Sequence, residues 1–243
     1  MVDKIFESER LVFKQFNELT EKQIEEVGNS WANPFNARYN SMKNPYQSVR
    51  EMISWQEPTP WGNYYRVAFD KQTNELIGTC RFGKHYASES NQEWDFGFNV
   101  VLKHWFKGYG VEILSAIIKI AKLNNAKIIY GGADLENYGS YKAMVKNGFV
   151  YKGIDEDGDY RFILDLHSPD LSKEQIAKNW SEHIERTRRD FGEEKFNKLD
   201  FINKKIYEMV QKINAGENEN QLVEKYFKEL NDVEEFKFSW IKY

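Results

Sequence analysis

Apolar positions recur along this chain at two periods, and the switches between them divide it into elements. Period-two alternation predicts strands over residues 9–16, 65–69, 75–82 and 94–101, and a short apolar strand over 127–133. The second and third of these read as a hairpin across residues 70–74, and Gly97 is a candidate bulge in the fourth. Helical spacing places Ile113, Leu114, Ile117, Ile118 and Ala121 on one face of a helix. A second helix covers residues 138–147 and ends at Gly148, where positive φ costs no Cβ clash. Residues 151–154 and 160–166 make a last hairpin around Asp157-Gly158. Nearer the start, Thr20 with Gln23 and Ser48 with Glu51 each fit a capping box and predict two short helices. Residues 30–36, between them, read as a turn-rich loop with no helical period. The order of elements is that of a mixed α/β (α+β) layer with helices packed on one sheet.

The pattern changes after His167-Ser168-Pro169, which predicts one domain over residues 1–167 and a helical C-terminal extension over 168–243. Ser172 and Gln175 form a third capping box, followed by Ile176, Trp180, Ile184 and Phe191 on one face. A longer helix carries Phe196, Leu199, Ile202, Ile206, Met209, Val210 and Ile213. Gly216 breaks it before a third, with Leu222, Val223, Tyr226, Phe227 and Leu230. These faces must be covered by each other, by the first domain or by a second subunit, which leaves a homodimer open. Residues 236–240 alternate like an edge strand.

Composition narrows the function classes. Hydrophobic residues at 41% and charged residues at 30% describe an ordered globular chain. A net charge of −4 supplies no basic field for nucleic acid and suits a cationic partner such as an amine slightly better. The single cysteine, Cys80, excludes an intramolecular disulfide and a multi-cysteine zinc site, and its strand setting reads as a buried thiol. No signal-like run and no apolar stretch of membrane-spanning length appear, so a cytoplasmic location with no membrane partner is expected.

Candidate chemistry concentrates in residues 93–149. The predicted strand runs into Trp105-Phe106-Lys107-Gly108-Tyr109-Gly110, which opens directly into the apolar helix. Such a turn leaves backbone N–H groups pointing out of a helix N-terminus, where an anion such as a pyrophosphate can sit. Gly108 and Gly110 let the backbone approach a bulky ligand, and Lys107 adds a cation. A G-x-G alone fits a merely structural turn equally well. It is accompanied here by a helix that begins at Asn137, with Ser140 three residues on, and closes with Lys146-Asn147-Gly148-Phe149.

Together these residues resemble the GNAT superfamily of N-acetyltransferases, and within it the branch that modifies ribosomal-protein N-termini (RimJ/RimL type). Trp105, Lys107, Gly108, Tyr109, Gly110 and Glu112 match its turn pattern, and Asn137, Ser140, Lys146, Gly148 and Phe149 its second motif. Glu9-Arg10-Leu11 and Ser30-Trp31…Arg38-Tyr39 are also similar, so the resemblance covers roughly residues 7–166. It implies a mostly antiparallel central sheet with helices on both faces. It further implies acetyl-CoA as co-substrate, no metal, and pyrophosphate contacts from Phe106 to Gly110. Phe98, Asn99 and Val100 would then meet the pantetheine arm, Asn137 would bond it from the other side, and Trp105 and Ser140 would join the site. The implied reaction is direct attack by a primary amine on the thioester.

The acid and base are less defined. Many members of the superfamily place a tyrosine seven residues after the motif asparagine, and that position here is Met144. Ser140 and Tyr141 are the candidate acids, with packing the alternative for Tyr141. Glu93 and Asp95 are the candidate bases, with a solvated strand end as the alternative. His85 and His104 have no metal-ligand spacing and read as surface residues, although His104 directly precedes the turn. Trp31, Phe35, Tyr39, Trp55 and Trp61 form either a hydrophobic cluster or an aromatic acceptor pocket. Arg186, Arg188 and Arg189 read as a solvated helix face. The acceptor expected from this reading is a protein N-terminus or a small amine, an aminoglycoside or polyamine included. The competing class is a CoA-binding regulatory or interaction module with little catalysis, which Met144 keeps open.

Overall fold

The computed structural model of the chain describes residues 6–39, 44–134, 136–156, 158–231 and 233. Strand alternation decides its architecture. In β2 (Leu11–Lys14), Leu11 and Phe13 enter one apolar layer and Val12 packs on another. In β3 (Asn63–Asp70), Ala68 joins the first layer while Val67 and Phe69 join the second. A sheet with two apolar faces needs helices on both. The first layer is covered by α4 (Tyr109–Leu123) and α5 (Tyr138–Lys146), the second by α1 (Glu21–Ala32) and α3 (Pro45–Ser54).

Among the described residues the sheet has eight strands. From one edge come β1 (Phe6–Glu7), β2, β3, β4 (Leu76–Lys84), β5 (Glu93–Val100) and β6 (Ile128–Ala133), then β8 (Tyr160–Asp165) and finally β7 (Val150–Ile154). Every neighbouring pair is antiparallel except β5 with β6. A crossover through α4 makes that one pair parallel.

Local signals explain the helix boundaries. Thr20 caps α1 with a reciprocal capping box through Gln23, as the pattern predicts. Residues 30–36 are not a loop: Ser30, Trp31 and Ala32 finish α1, and Asn33 caps a short α2 (Pro34–Ala37) by accepting the Phe35 N–H. Pro34 at the first helical position, with its φ already fixed, starts the new helix. The same device corrects the expectation at Ser48, which lies inside α3 because the helix begins at Pro45. At the end of α5, Gly148 stands at φ 84°. Its N–H bonds the Val145 carbonyl while the Phe149 N–H bonds that of Met144, a Schellman closure. Gly97 is not a bulge, since the β4–β5 register is unbroken through it. Asp157 and residues 236–240 lie outside the described residues.

Among the described residues the extension forms three helices, α6 (Lys173–Phe191), α7 (Glu193–Asn214) and α8 (Glu219–Asn231). The Ser172 capping box starts α6 as predicted. Trp180 and His183 on α6 pack on the aromatic rings of α5: Trp180 lies 5.3 Å from Tyr138, and His183 4.6 Å from Tyr141. The inner faces of α7 and α8 form a separate cluster with Phe35 of α2, and with Leu102 and Trp105 after β5. The extension therefore bridges α5 to the far ends of β5 and α2. Ending the chain after Pro169 would uncover both contact areas. Such a truncation should self-associate on gel filtration and melt at a lower temperature; an unchanged, cooperatively melting monomer would show that the extension is not part of the fold.

Candidate active site

The site is made where the β5–β6 ladder stops. Pairing runs through Glu93–Ile128, Trp94–Ile129 and Asp95–Tyr130 and goes no further, although β5 continues to Val100. The Val101 N–H bonds the Ile77 carbonyl and the His85 N–H bonds the Glu93 carbonyl, so odd-numbered positions of β5 direct their backbone groups at β4. With the register unbroken, even-numbered positions direct theirs toward β6: the Asp95–Tyr130 pairing uses the Phe96 N–H, which leaves the Phe96 carbonyl, Phe98 and Val100 facing the gap beyond it. The Val100 carbonyl is taken by the Trp105 indole N–H at 2.8 Å. Side chains alternate across the same strand. Phe96 and Phe98 pack into the layer under α4, whereas Asn99 faces α1, where Ser30 Oγ lies 3.4 Å from its Oδ1.

The turn after β5 is held in a conformation that opens the N-terminus of α4. Phe106 and Gly108 both lie in the left-handed region, at φ 63° and 81°. The first helical bond runs from the Glu112 N–H to the Gly108 carbonyl, so the preceding N–H groups of Tyr109, Gly110 and Val111 have no intrahelical partner. A Cβ on Gly110 would stand 3.1 Å from the Phe98 ring, so glycine allows the helix to sit this close to β5. Arg10 fastens the turn from outside. Its guanidinium pairs with Glu112 at 2.6 Å, donates to the Lys107 carbonyl at 3.1 Å and lies 4.1 Å above the Tyr109 ring. Glu112 also accepts from the Ser8 hydroxyl and the Arg10 N–H. Burial pushes its carboxyl up, but these hydrogen bonds and the Arg10 charge outweigh burial and hold it below the usual range.

A cavity of about 240 Å³ joins the two features. One end is lined by Phe106, Gly108, Tyr109 and Gly110, the middle by Phe98, Asn99 and Val100, and the opposite wall by Asn137, Tyr138 and Ser140 of α5. Asn137 caps α5 with its Oδ1, which accepts the Ser140 N–H at 3.2 Å, so its Nδ2 is the atom left to donate toward a ligand. Lys142 and Lys146, one helical turn apart, carry the same wall outward. Trp105 and His104 line the cavity as well. His104 is buried rather than at the surface: it packs on the Tyr109 ring, and burial, aided by Lys103 and Lys107, pushes its ring down to about 4.

The other candidates lie elsewhere. Lys107 does not line the cavity, and its Nζ donates to Asn214 of α7 at 2.7 Å. Glu93 and Asp95 are also outside the lining, and Asp95 is bound to Arg81 at 2.6 Å. Tyr141 packs in the core, 2% exposed, where burial above all raises its hydroxyl far beyond the ordinary range. Met144 is buried, its sulfur over Gly131, and fills core space. The five aromatics are dispersed: Trp31 is buried beside Phe16, Phe35 packs on Phe227, Trp55 and Trp61 pack together, and only Tyr39 lines the cavity. Arg186 stacks on Tyr151 at 4.1 Å instead of facing solvent alone. Cys80 is buried, and burial pushes its thiol up to about 12.

The family profile of the acetyltransferase (GNAT) domain matches residues 10–150, a span that contains β5, the glycine turn and α5 around this cavity. The chain belongs to that family. Among solved structures, the GNAT-family acetyltransferase of Bacillus anthracis superposes with a TM-score of 0.56 at 18% identity, covering 68% of this chain and 99% of that one. The spermidine N-acetyltransferase of Vibrio cholerae, in complex with CoA and spermine, gives 0.53 at 16% identity, covering 65% and 96%. The GNAT domain of Streptomyces lividans PAT gives 0.52 at 17%, covering 68% and 96%. At these identities the likeness is one of fold. No curated protein matches the chain.

Asn36, Asn203 and Ile206 escaped the sequence pattern. Asn36 arrives on α2, just before Tyr39 of the expected aromatic set, and Asn203 and Ile206 arrive on α7, so the extension walls the same cavity as the GNAT motifs. Near Tyr39, at the end of β6, burial and the carboxylates of Asp159 and Glu136 push Asp134 up to about 6, against the charge of Arg38. Among the described residues no group of three or more His, Cys, Asp or Glu could hold a metal ion, and no helix is long and apolar enough to cross a membrane.

The buried histidines predict a pH dependence. His183, 1% exposed, is pushed down to about 4 by burial and then by Arg186, as His104 is by its own surroundings. Between about pH 6.5 and 4 the unfolded chain binds protons on these rings that the folded chain does not, so stability falls as pH drops through that window. Asp134 works in the opposite sense over its own range. The urea midpoint should decrease from pH 7 to pH 5, and His183→Leu should flatten that slope; equal slopes would refute the assignment for His183.

Proposed function

We propose that this protein is an acetyl-CoA-dependent N-acetyltransferase that transfers acetyl to a primary amine by direct attack on the thioester. One observation carries the reading: a single cavity joins the unpaired N-terminus of α4 to the unpaired edge of β5. A pyrophosphate suits the first, because three N–H groups and the helix dipole favour an anion there. An extended arm with amide groups suits the second, because it completes the ladder that β6 abandons. The N–H groups of Tyr109, Gly110 and Val111 would hold the phosphates, Phe98 and Asn137 the arm, and Lys142 and Lys146 the outer anionic end. The Phe98 N–H, fixed in the sheet, would polarise the carbonyl that accepts the amine.

The acceptor reading follows from the other face. Tyr39 and the acidic residues Asp134, Glu136 and Asp159 favour a cationic amine. The added wall of Asn203 and Ile206 from α7 favours a small amine, the polyamine class included, over a folded protein's N-terminus. The structural neighbour that acetylates spermidine supports this direction by fold alone. With Met144 and Tyr141 both in the core, the proton for the departing thiolate would come from Ser140 or from solvent.

Calorimetric titration with CoA, followed by thiol release from acetyl-CoA across a panel of small amines and N-terminal peptides, tests the proposal. Binding with turnover on a small amine is the expected result. Tight binding without turnover would favour a CoA-responsive interaction module, and no binding would overturn the reading. Gly110→Val would drive two methyl groups at the Phe98 ring and should weaken CoA binding at least tenfold.

A further inference from the structure

Asn36 is polar, 2% exposed and part of the cavity wall, which calls for a full account of its hydrogen bonds. Its Nδ2 donates to the Ser30 carbonyl at 2.9 Å and approaches Ser30 Oγ at 3.2 Å. A carbonyl can only accept, so this contact fixes which end of the amide is nitrogen. The other end, Oδ1, is buried and has no partner among the described residues. A buried acceptor left unmade costs about 1–3 kcal/mol, a cost that a donor arriving with a ligand in the adjoining cavity would offset.

The side of the sheet identifies that ligand. Ser30 Oγ links Asn36 onward to Asn99 Oδ1, and Asn99 faces α1, opposite to Phe98 and α4. Asn36 thus approaches the gap in the sheet from the face opposite the helix N-terminus proposed to hold the phosphates. Tyr39, on the same side, donates its hydroxyl to the Glu136 carbonyl at 3.3 Å and so ties the end of α2 to the loop before α5. Opposite the acyl donor is where a nucleophile must stand to reach a carbonyl held at Phe98. We propose that Asn36 Oδ1 receives an N–H of the acceptor amine and orients its lone pair at the thioester, with Ser30 holding the amide in place. This rests on the acetyltransferase reading above and names the atom that recognises the acceptor. Oδ1 accepts without taking the proton, so it orients the amine and is not its base.

The test compares wild type with Asn36→Leu, Asn36→Asp and Ser30→Ala, using the amine that the panel shows to be turned over best. Thermal melting establishes folding, calorimetry gives the acetyl-CoA Kd, and steady-state kinetics give KM for the amine and kcat. Asn36→Leu should lower kcat/KM for the amine about 10- to 100-fold, as expected for a lost buried hydrogen bond, with the acetyl-CoA Kd within about twofold of wild type. Asn36→Asp keeps an acceptor at the same place and should recover part of the loss. Ser30→Ala, which leaves the carbonyl anchor, should raise KM by a smaller factor, and it decides the matter should Asn36→Leu fail to fold. Unchanged amine kinetics in folded variants would overturn the proposal. So would an equal loss of acetyl-CoA affinity, which would assign Oδ1 to an amide N–H of the pantetheine arm. A wild type that binds acetyl-CoA and acetylates no amine would overturn the function reading itself, a result visible before any variant is made.

Discussion

The structure depends on one ladder ending early. If β6 paired along the whole of β5, the Phe96 carbonyl, both backbone groups of Phe98 and the Val100 N–H would be satisfied within the sheet and no ligand could add to that edge. After Asp95 the two strands part, and everything that lines the cavity is arranged around the break. The glycine turn sets the α4 N-terminus at one end of it. Asn137 opens α5 along one wall, and α2 with the turn after it brings Asn36 and Tyr39 to the opposite face. An unpaired strand edge inside a protein is costly unless something covers it. That cost is the physical reason to expect a ligand with amide groups of its own.

The turn keeps its shape because forces from distant parts of the chain converge on it. Phe106 is held at positive φ without being glycine, a conformation that persists only when its surroundings over-determine it. Arg10 supplies much of that constraint by clamping both the Lys107 carbonyl and Glu112. The extension supplies the rest: Asn214 takes the Lys107 ammonium and also donates to the Lys103 carbonyl, while Tyr207 packs on the Phe106 ring at 5.2 Å. Helices that look like an appendage in the sequence are thus coupled to the turn proposed to bind phosphate.

What the sequence revealed was local. The strands, the caps at Thr20 and Ser172, the close of α5 at Gly148 and the glycine turn all depend on neighbours within a few residues, and each was legible. In residues 30–36 the pair Asn33-Pro34 reads as a turn in sequence, whereas in the fold it ends one helix and caps the next. Glu93, Asp95 and Tyr141 were plausible by position along the chain. Arg81 holds Asp95, and Trp180 of α6 packs near Tyr141, contacts that no spacing reveals. Asn36, Asn203 and Ile206 share the reason: they reach the cavity only through tertiary packing of α2 and α7. Lys142 had a local signal after all, since it stands one turn before the motif residue Lys146.

The central claim is that the vacated edge of β5 and the open end of α4 form one continuous binding surface. Backbone amide hydrogen exchange with and without CoA measures it residue by residue. The account predicts new protection at Phe98 and across residues 109–111, with the odd-numbered positions of β5, already bonded to β4, little changed. Protection confined to side-chain contacts elsewhere, or none at Phe98 and the first turn of α4 under saturating CoA, would contradict it.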